Sequence, residues 1–324
     1  MTTSNHSIRL RKENAHDDPI YCATWTKINV TEDTKGPSMN FILTGGLDCL
    51  IKVWKFESNK LELFHSLSGH SMAVVSLAVS PDGHTIASTS LESTLIIWDL
   101  LSGNKVHEIK TNAPDIWKVT FSPNGSQVAS GSHTGKVVIY RIKNGYVDKI
   151  LDTRGKFLTS VAWSSDDKYI ASGASDGAVC TFDVAQGKLL HTIESHSKIV
   201  RSVNFSPNSQ LLVTASDDGM VHLYNVATAG LLRSLEHKSW AVCAVFSPDG
   251  SRIATACADG SVRIAMKEDF KVLATFKEHC DTAWSVQFNA QGTQLVSIAK
   301  DKCINIYECP IPPKIQAKKP IIIK

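Results

Sequence analysis

The chain has 324 residues, of which 43% are hydrophobic and 20% charged, with a formal net charge of +3. That apolar content suffices to bury a large core, while the even charge balance gives no electrostatic reason to expect nucleic acid or an anionic membrane as a direct partner. No apolar run approaches the ~20 residues that span a bilayer, and the opening MTTSNHSIRLRKEN lacks a basic-then-apolar leader. The expected location is therefore nucleus and cytoplasm. Eight scattered cysteines (Cys22, Cys49, Cys180, Cys243, Cys257, Cys280, Cys303, Cys309) form no CxxC pair, in keeping with free thiols in a reducing compartment.

The first patterned segment is Ile8-Arg9-Leu10-Arg11-Lys12, which alternates as a strand does. Further along, a turn-like tetrad or its echo recurs six times: SPDG at 80–83, SPNG at 122–125, SSDD at 164–167, SPNS at 206–209, SPDG at 247–250 and NAQG at 289–292. The first residues step by 42, 42, 42, 41 and 42. Each tetrad lies between alternating apolar runs, which reads as strand, tight turn, strand. A third strand follows, marked by an aromatic residue or its equivalent at Trp54, Trp98, Tyr140, Phe182, Tyr224, Ala265 and Tyr307. Seven units of about 42 residues are the signature of a β-propeller, in which four-stranded blades surround a central channel. The tail PIPPKIQAKKPIIIK cannot continue a blade and is expected to be flexible.

With its Gly-His and Trp-Asp landmarks, the repeat resembles the WD-repeat family over residues 8 to 309. The resemblance implies an all-β, seven-bladed propeller over 1–309, closed by the N-terminal strand pairing with the last blade, with residues 310–324 as tail. It also implies a His before the first strand of each blade, a Ser or Thr on the second, an Asp in the next turn and a Trp on the third. By spacing, these fall on His16, Thr44, Asp48 and Trp54 in blade 1, and on His70, Ser88, Glu92 and Trp98 in blade 2. Blade 5 has His196, Thr214, Asp218 and Tyr224, and blade 7 has His279, Ser297, Asp301 and Tyr307. The others depart: Asn112, Ser130, Thr134 and Tyr140 in blade 3; Arg154, Ser172, Asp176 and Phe182 in blade 4; His237, Thr255, Asp259 and Ala265 in blade 6. His16 to Asp48 spans 32 residues against 22 for His70 to Glu92. Blade 1 thus carries about ten extra residues, placed at Asn29–Ser38 in its first hairpin.

Blades pack face to face, so a polar group between them must find partners. The His, hydroxyl, carboxylate and indole form one connected set that ties the third strand to the loops. A Ser-His-Asp hydrolase would use these residue types once; here they recur at constant spacing, without a Gly-x-Ser-x-Gly elbow. No HxxH, HExxH or GxxxxGK[ST] pattern occurs. The expectation is a non-catalytic protein with no cofactor and no metal.

Binding residues favour loops held by a rigid scaffold. Five residues after each His position come Tyr21, Val75, Trp117, Thr159, Arg201, Val242 and Trp284, and three after it Phe157 and Trp240 add aromatics. Aromatics and Arg are what interface hot spots favour, so Tyr21, Trp117, Phe157, Arg201, Trp240 and Trp284 are candidate partner contacts, with the alternative that they only plug gaps between blades. Asp17, Asp18 and Asp115 lie nearby and could pair with a basic side chain.

The stretch LDTRGKFLTSVAWSSDDKYIASGASDG (151–177), GKLLHTIESH (187–196), SPNSQLLVTASDDG (206–219), AHDDPIYCATW (15–25) and DKCINIYECPI (301–311) resemble the WD-repeat subunits of the animal superkiller complex. That resemblance implies a scaffold, monomeric on its own, with helicase and tetratricopeptide-repeat partners in exosome-mediated 3′-to-5′ mRNA decay. It also implies membership of the nuclear polymerase-associated factor complex, in transcription elongation and histone modification. Ala265 and Met266, where many relatives have Trp-Asp, depart from the pattern. A generic WD-repeat adaptor, a histone-tail reader and a propeller enzyme are the other readings. A reader would need Trp117, Trp240 and Trp284 to share one pocket.

Overall fold

A computed structural model describes residues 6–29, 38–110 and 117–312. Among these residues every regular element is a strand, and the 28 strands form seven four-stranded antiparallel sheets. Six sheets are built from strands in sequence order, such as Val74–Val79, Thr85–Ser90, Thr94–Asp99 and Lys105–Lys110 in blade 2. The seventh takes Ala283–Phe288, Gln294–Ala299 and Ile304–Glu308 from the C-terminal end and Ser7–Lys12 from the N-terminal end. This last pairing runs from Ser7 opposite Glu308 to Lys12 opposite Ile304. It is reinforced by Arg9 Nη1 to the Glu308 carboxylate (2.9 Å) and by Arg11 Nη1 donating to the Glu278 carbonyl (2.6 Å). The chain is therefore a closed seven-bladed propeller.

Burial follows strand position. In blade 5 the third strand Met220–Asn225 and second strand Leu211–Ser216 are largely buried, while the fourth, Leu231–Glu236, is almost wholly exposed. The core lies between blades. Leu43, Val53, Val74, Leu77, Ile86 and Trp98 pack together across the junction of blades 1 and 2. Backbone amides of one first strand also bond to side chains of the preceding blade: Val119 N–H to Ser76 Oγ (3.1 Å), Val203 N–H to Ser160 Oγ (3.0 Å), Phe246 N–H to Asn204 Oδ1 (3.1 Å). Each removes a buried orphan donor and locks neighbouring blades in rotation.

In blade 1 the first two strands lengthen to Ile20–Asn29 and Ser38–Gly46, and Asn29 pairs with Ser38. The ends of the extra segment are thus strand; its residues 30–37 lie outside the described residues, as do 313–324 of the tail.

Candidate functional site

Polar side-chain sets hold the loops that carry the site. In blade 1 Trp54 Nε1 donates to Thr44 Oγ1 (2.9 Å), which meets His16 Nε2 (2.8 Å), while His16 Nδ1 meets Asp48 Oδ2 (2.8 Å). Blade 2 repeats this with Trp98 Nε1, Ser88 Oγ, His70 and Glu92 at 2.8, 2.7 and 2.8 Å. Burial would raise Glu92, but hydrogen bonds from Ser71, Thr94 and His70 outweigh it and hold it at about 2. Burial lowers His70, with Glu92 opposing. An ionised carboxylate facing a neutral imidazole fixes the tautomer: Nδ1–H donates to Glu92, and Ser88 Oγ–H donates to Nε2. Protons thus run in one direction, from indole to hydroxyl to imidazole to carboxylate.

Blade 7 joins His279 to Asp301 (3.0 Å) and Ser297 (2.7 Å), with Tyr307 Oη at 3.2 Å from Ser297 Oγ. Blade 5 joins His196 to Asp218 (3.0 Å) and Thr214 (2.8 Å), but its aromatic departs from the pattern. Tyr224 Oη bonds to Ser195 Oγ (2.8 Å) and His222 Nδ1 (3.1 Å) instead of Thr214. The reason is His222, which sits opposite Thr214 and stacks on the His196 ring at 4.4 Å. In blade 6 His237 meets neither Asp259 nor Thr255; its Nδ1 faces Cys257 Sγ at 3.2 Å. The buried hydroxyls of Ser172 in blade 4 and Thr255 in blade 6 have no hydrogen-bond partner among the described residues. The blade 3 loop position, residue 112, lies outside them.

Held on these loops, the first strands of every blade but the third share a backbone device among the described residues. Pairing slips between Ile20 and Cys22, Val74 and Ser76, Leu158 and Ser160, Val200 and Ser202, Ala241 and Cys243, and Ala283 and Ser285. The residue skipped each time is the one five after the His position. A bulge leaves that residue out of the ladder and re-aims its side chain. Around the ring the effect is convergence. Tyr21, Val75, Trp117, Thr159, Arg201 and Trp284 line one cavity of about 300 Å³ at the channel mouth, joined by Leu91 and Lys118. Val242 is buried outside it.

The walls are aromatic and the charge is basic. Tyr21 meets Trp284 edge-on at 5.6 Å, and Trp117 meets Phe157 edge-on at 5.7 Å. Phe157 therefore supports Trp117 from behind and does not line the cavity. The indole N–H of Trp284 is buried without a hydrogen-bond partner among the described residues. Arg201 is held by a two-pronged bond to Asp217 (2.9 and 2.7 Å), which sets its direction and offsets its charge. Lys118, half-buried, has no ion-pair or hydrogen-bond partner among the described residues. Thr159 Oγ1 is turned to the backbone carbonyls of Gly173 and Val200.

Other candidates lie apart. Trp240 is 49% exposed and outside the cavity, so Trp117, Trp240 and Trp284 do not form one cage. Asp17 and Asp18 lie on the loop before Ile20–Asn29, with the Asp17 carbonyl bonded to Lys302 Nζ; neither lines the cavity. Asp115 falls outside the described residues. Lys118, Leu91 and Asp217 lie off the five-residue spacing. Lys118 follows a singled-out residue, and the adjacent Asp217-Asp218 pair was a signal that one carboxylate is spare to the His196 set. No group of three or more His, Cys, Asp or Glu among the described residues is placed to hold a metal.

Comparisons with known proteins agree with this architecture. The family model for the first β-propeller of IFT122 matches residues 36–308, and the WD domain, G-beta repeat model matches residues 7–55. WD repeat-containing protein SL1-17 of Schistosoma mansoni is 32% identical over 114 residues, covering 35% of this chain and 36% of that protein. WD repeat-containing protein VIP3 of Arabidopsis thaliana is 33% identical over 105 residues, 32% of this chain and 30% of its own. Small ribosomal subunit protein RACK1 of Neurospora crassa is 28% identical over 100 residues, 31% and 28% of the two chains. The matched stretch spans about a third of the length of these relatives.

Proposed function

The chain belongs to the WD-repeat β-propeller family, and from that premise we propose that it acts as a non-catalytic scaffold whose channel mouth docks a segment of a partner protein. The observation that carries this is the convergence of Tyr21, Trp117, Arg201 and Trp284 on one cavity, with Tyr21, Arg201 and Trp284 turned there by bulges. A rigid rim of aromatics over a partly desolvated Arg is the composition of an interface hot spot. Lys118 in its lining, without a partner among the described residues, favours a partner segment that brings a carboxylate next to an apolar side chain.

The finer reading rests on the resemblance of 151–177 and the other stretches quoted above. On it, the partners are the tetratricopeptide-repeat and helicase subunits of the superkiller complex in cytoplasmic mRNA decay, and subunits of the polymerase-associated factor complex in the nucleus. The test is affinity recovery from cells with wild type and with Trp117→Ala/Trp284→Ala. We expect wild type to bring down a helicase and a tetratricopeptide-repeat protein, and the folded double variant to lose them. A folded variant that retains every partner would move the interface to another face.

A further inference from the structure

The channel wall is built in two tiers, because side chains two apart on a strand share one side. Six residues after the loop position, the first strands carry Cys22, Ser76, Lys118, Ser160, Ser202, Cys243 and Ser285 around the ring. All but Lys118 are small, and five of the small ones bond to the backbone of the next blade. Ser76 Oγ accepts from the Val119 amide (3.1 Å), Ser160 Oγ from Val203 (3.0 Å) and Ser202 Oγ from Ala244 (3.4 Å). Cys22 Sγ donates to the Val74 carbonyl (3.7 Å) and Cys243 Sγ to that of Val286 (3.9 Å). Lys118 breaks the tier: it makes no such bond to blade 4 and has no partner among the described residues.

Beyond the mouth lies a cavity of about 460 Å³, lined by every residue of the second tier, two positions further along each strand. Lys118 is the only charged residue in its lining, and the only residue it shares with the mouth. Thr24, Thr120 and Gln287 of the second tier are half-buried, and their side chains have no hydrogen-bond partner among the described residues. Asn204 uses its Oδ1 on the Phe246 amide and leaves its Nδ2 free. None of these free polar atoms is sealed from solvent. Ala78, Ala162 and Val245 fill the remaining places. A half-buried ammonium facing uncharged walls is unfavourable, and a serine here would have the bonding role its counterparts have. A position that gives up both is where function displaces the stabilising pattern.

We propose that the channel is a binding site for a small organic anion that carries hydroxyl groups, with its carboxylate or phosphate on Lys118 and its hydroxyls on Thr24, Thr120, Asn204 and Gln287. The sign of the charge follows from the lining, which holds one cation and no acid. The hydroxyls follow from the second tier, whose threonines and glutamine both donate and accept. The size follows from the cavity, whose volume falls within the roughly 300–1,000 Å³ of small-molecule sites. A neutral polyol would leave the ammonium without a counter-charge, and a cation would be repelled by it.

The probes are glycerol 3-phosphate, glycerate and glycerol, each titrated into the full chain and followed by protein-observed NMR. The side-chain amides of Asn204 and Gln287 report from inside the channel. We expect at least one of the two anions to saturate, with affinity of about millimolar order, and to shift both reporters; which anion does so tells phosphate from carboxylate. Glycerol should not saturate. Lys118→Ser should weaken anion binding about tenfold or more, and it should fold, since it gives blade 3 a residue type its counterparts carry. Gln287→Met removes one amide at similar size and should weaken binding roughly threefold to tenfold, so the test survives if Lys118→Ser does not fold. The readout needs no partner protein, so the reading of the mouth can fail while this one stands. No saturable binding of either anion, saturation by glycerol, or undiminished binding to either folded variant would overturn the proposal.

Discussion

Ser88→Ala isolates what one staple contributes. The Ser88 hydroxyl is fully buried and holds two buried partners, Trp98 Nε1 at 2.8 Å and His70 Nε2 at 2.7 Å. Removing it leaves an indole donor and an imidazole acceptor without partners, at about 1–3 kcal/mol each, or about 2–6 kcal/mol together. His70 Nδ1 keeps Glu92, so the ring stays anchored and the lower half of that range, about 2–4 kcal/mol, is expected. Ser172→Ala makes the same chemical change at the matching position of blade 4, where the hydroxyl has no partner to lose among the described residues. Its expected effect lies within about 0.5 kcal/mol of zero, or is slightly stabilising. Equilibrium urea unfolding, with the slope checked for constancy, reads both variants. Equal losses would show that the two substitutions act through lost volume, and the hydrogen-bond reasoning would be wrong.

Two further outcomes follow from the geometry. Deleting residues 1–14 removes the fourth strand of blade 7 and exposes the edge of Ile304–Glu308, so the melting temperature should fall sharply; an unchanged one would mean the ring does not depend on that strand. Burial, helped by Arg263, holds His237 at about 4 against an ordinary 6.5. The unfolded chain therefore takes a proton between those values that the folded chain refuses, and the His237 contribution is full above pH 6.5 and lost as pH falls toward 4. His237→Gln should flatten the stability slope in that window by about 1.4 kcal/mol per pH unit; identical slopes would refute a neutral buried ring.

Much of the fold was legible because a propeller repeats its errors as faithfully as its rules. Tetrads stepping by about 42 residues located the hairpins, and the alternation of Ile8–Lys12 pointed to the closing strand. Six of the residues that line the channel mouth were also reachable by counting five from the loop position that holds histidine in most blades. The reason that count works was not: a bulge is a slip of backbone register and leaves no residue type behind. Tyr224 shows a different limit. Spacing placed it beside Thr214, but a tyrosine hydroxyl goes to the nearest competent partner, and His222 and Ser195 stand nearer. Trp240 obeys the same spacing as Phe157, yet among the described residues only Phe157 finds an aromatic neighbour within reach. Side-chain competition of that kind is settled in three dimensions.

The seam between Ser7–Lys12 and Ile304–Glu308 carries a consequence for how the molecule is made. Ser7 pairs with Glu308, so the contact that completes the ring is among the most distant in sequence that the chain can form. At about 5–20 residues per second of synthesis, the first strand emerges roughly 15–60 s before its partner exists. Through that interval it is an unclaimed edge, open to pairing with another nascent chain. Its charged residues Arg9, Arg11 and Lys12 would then act as guards, keeping the strand soluble and single until the last blade arrives.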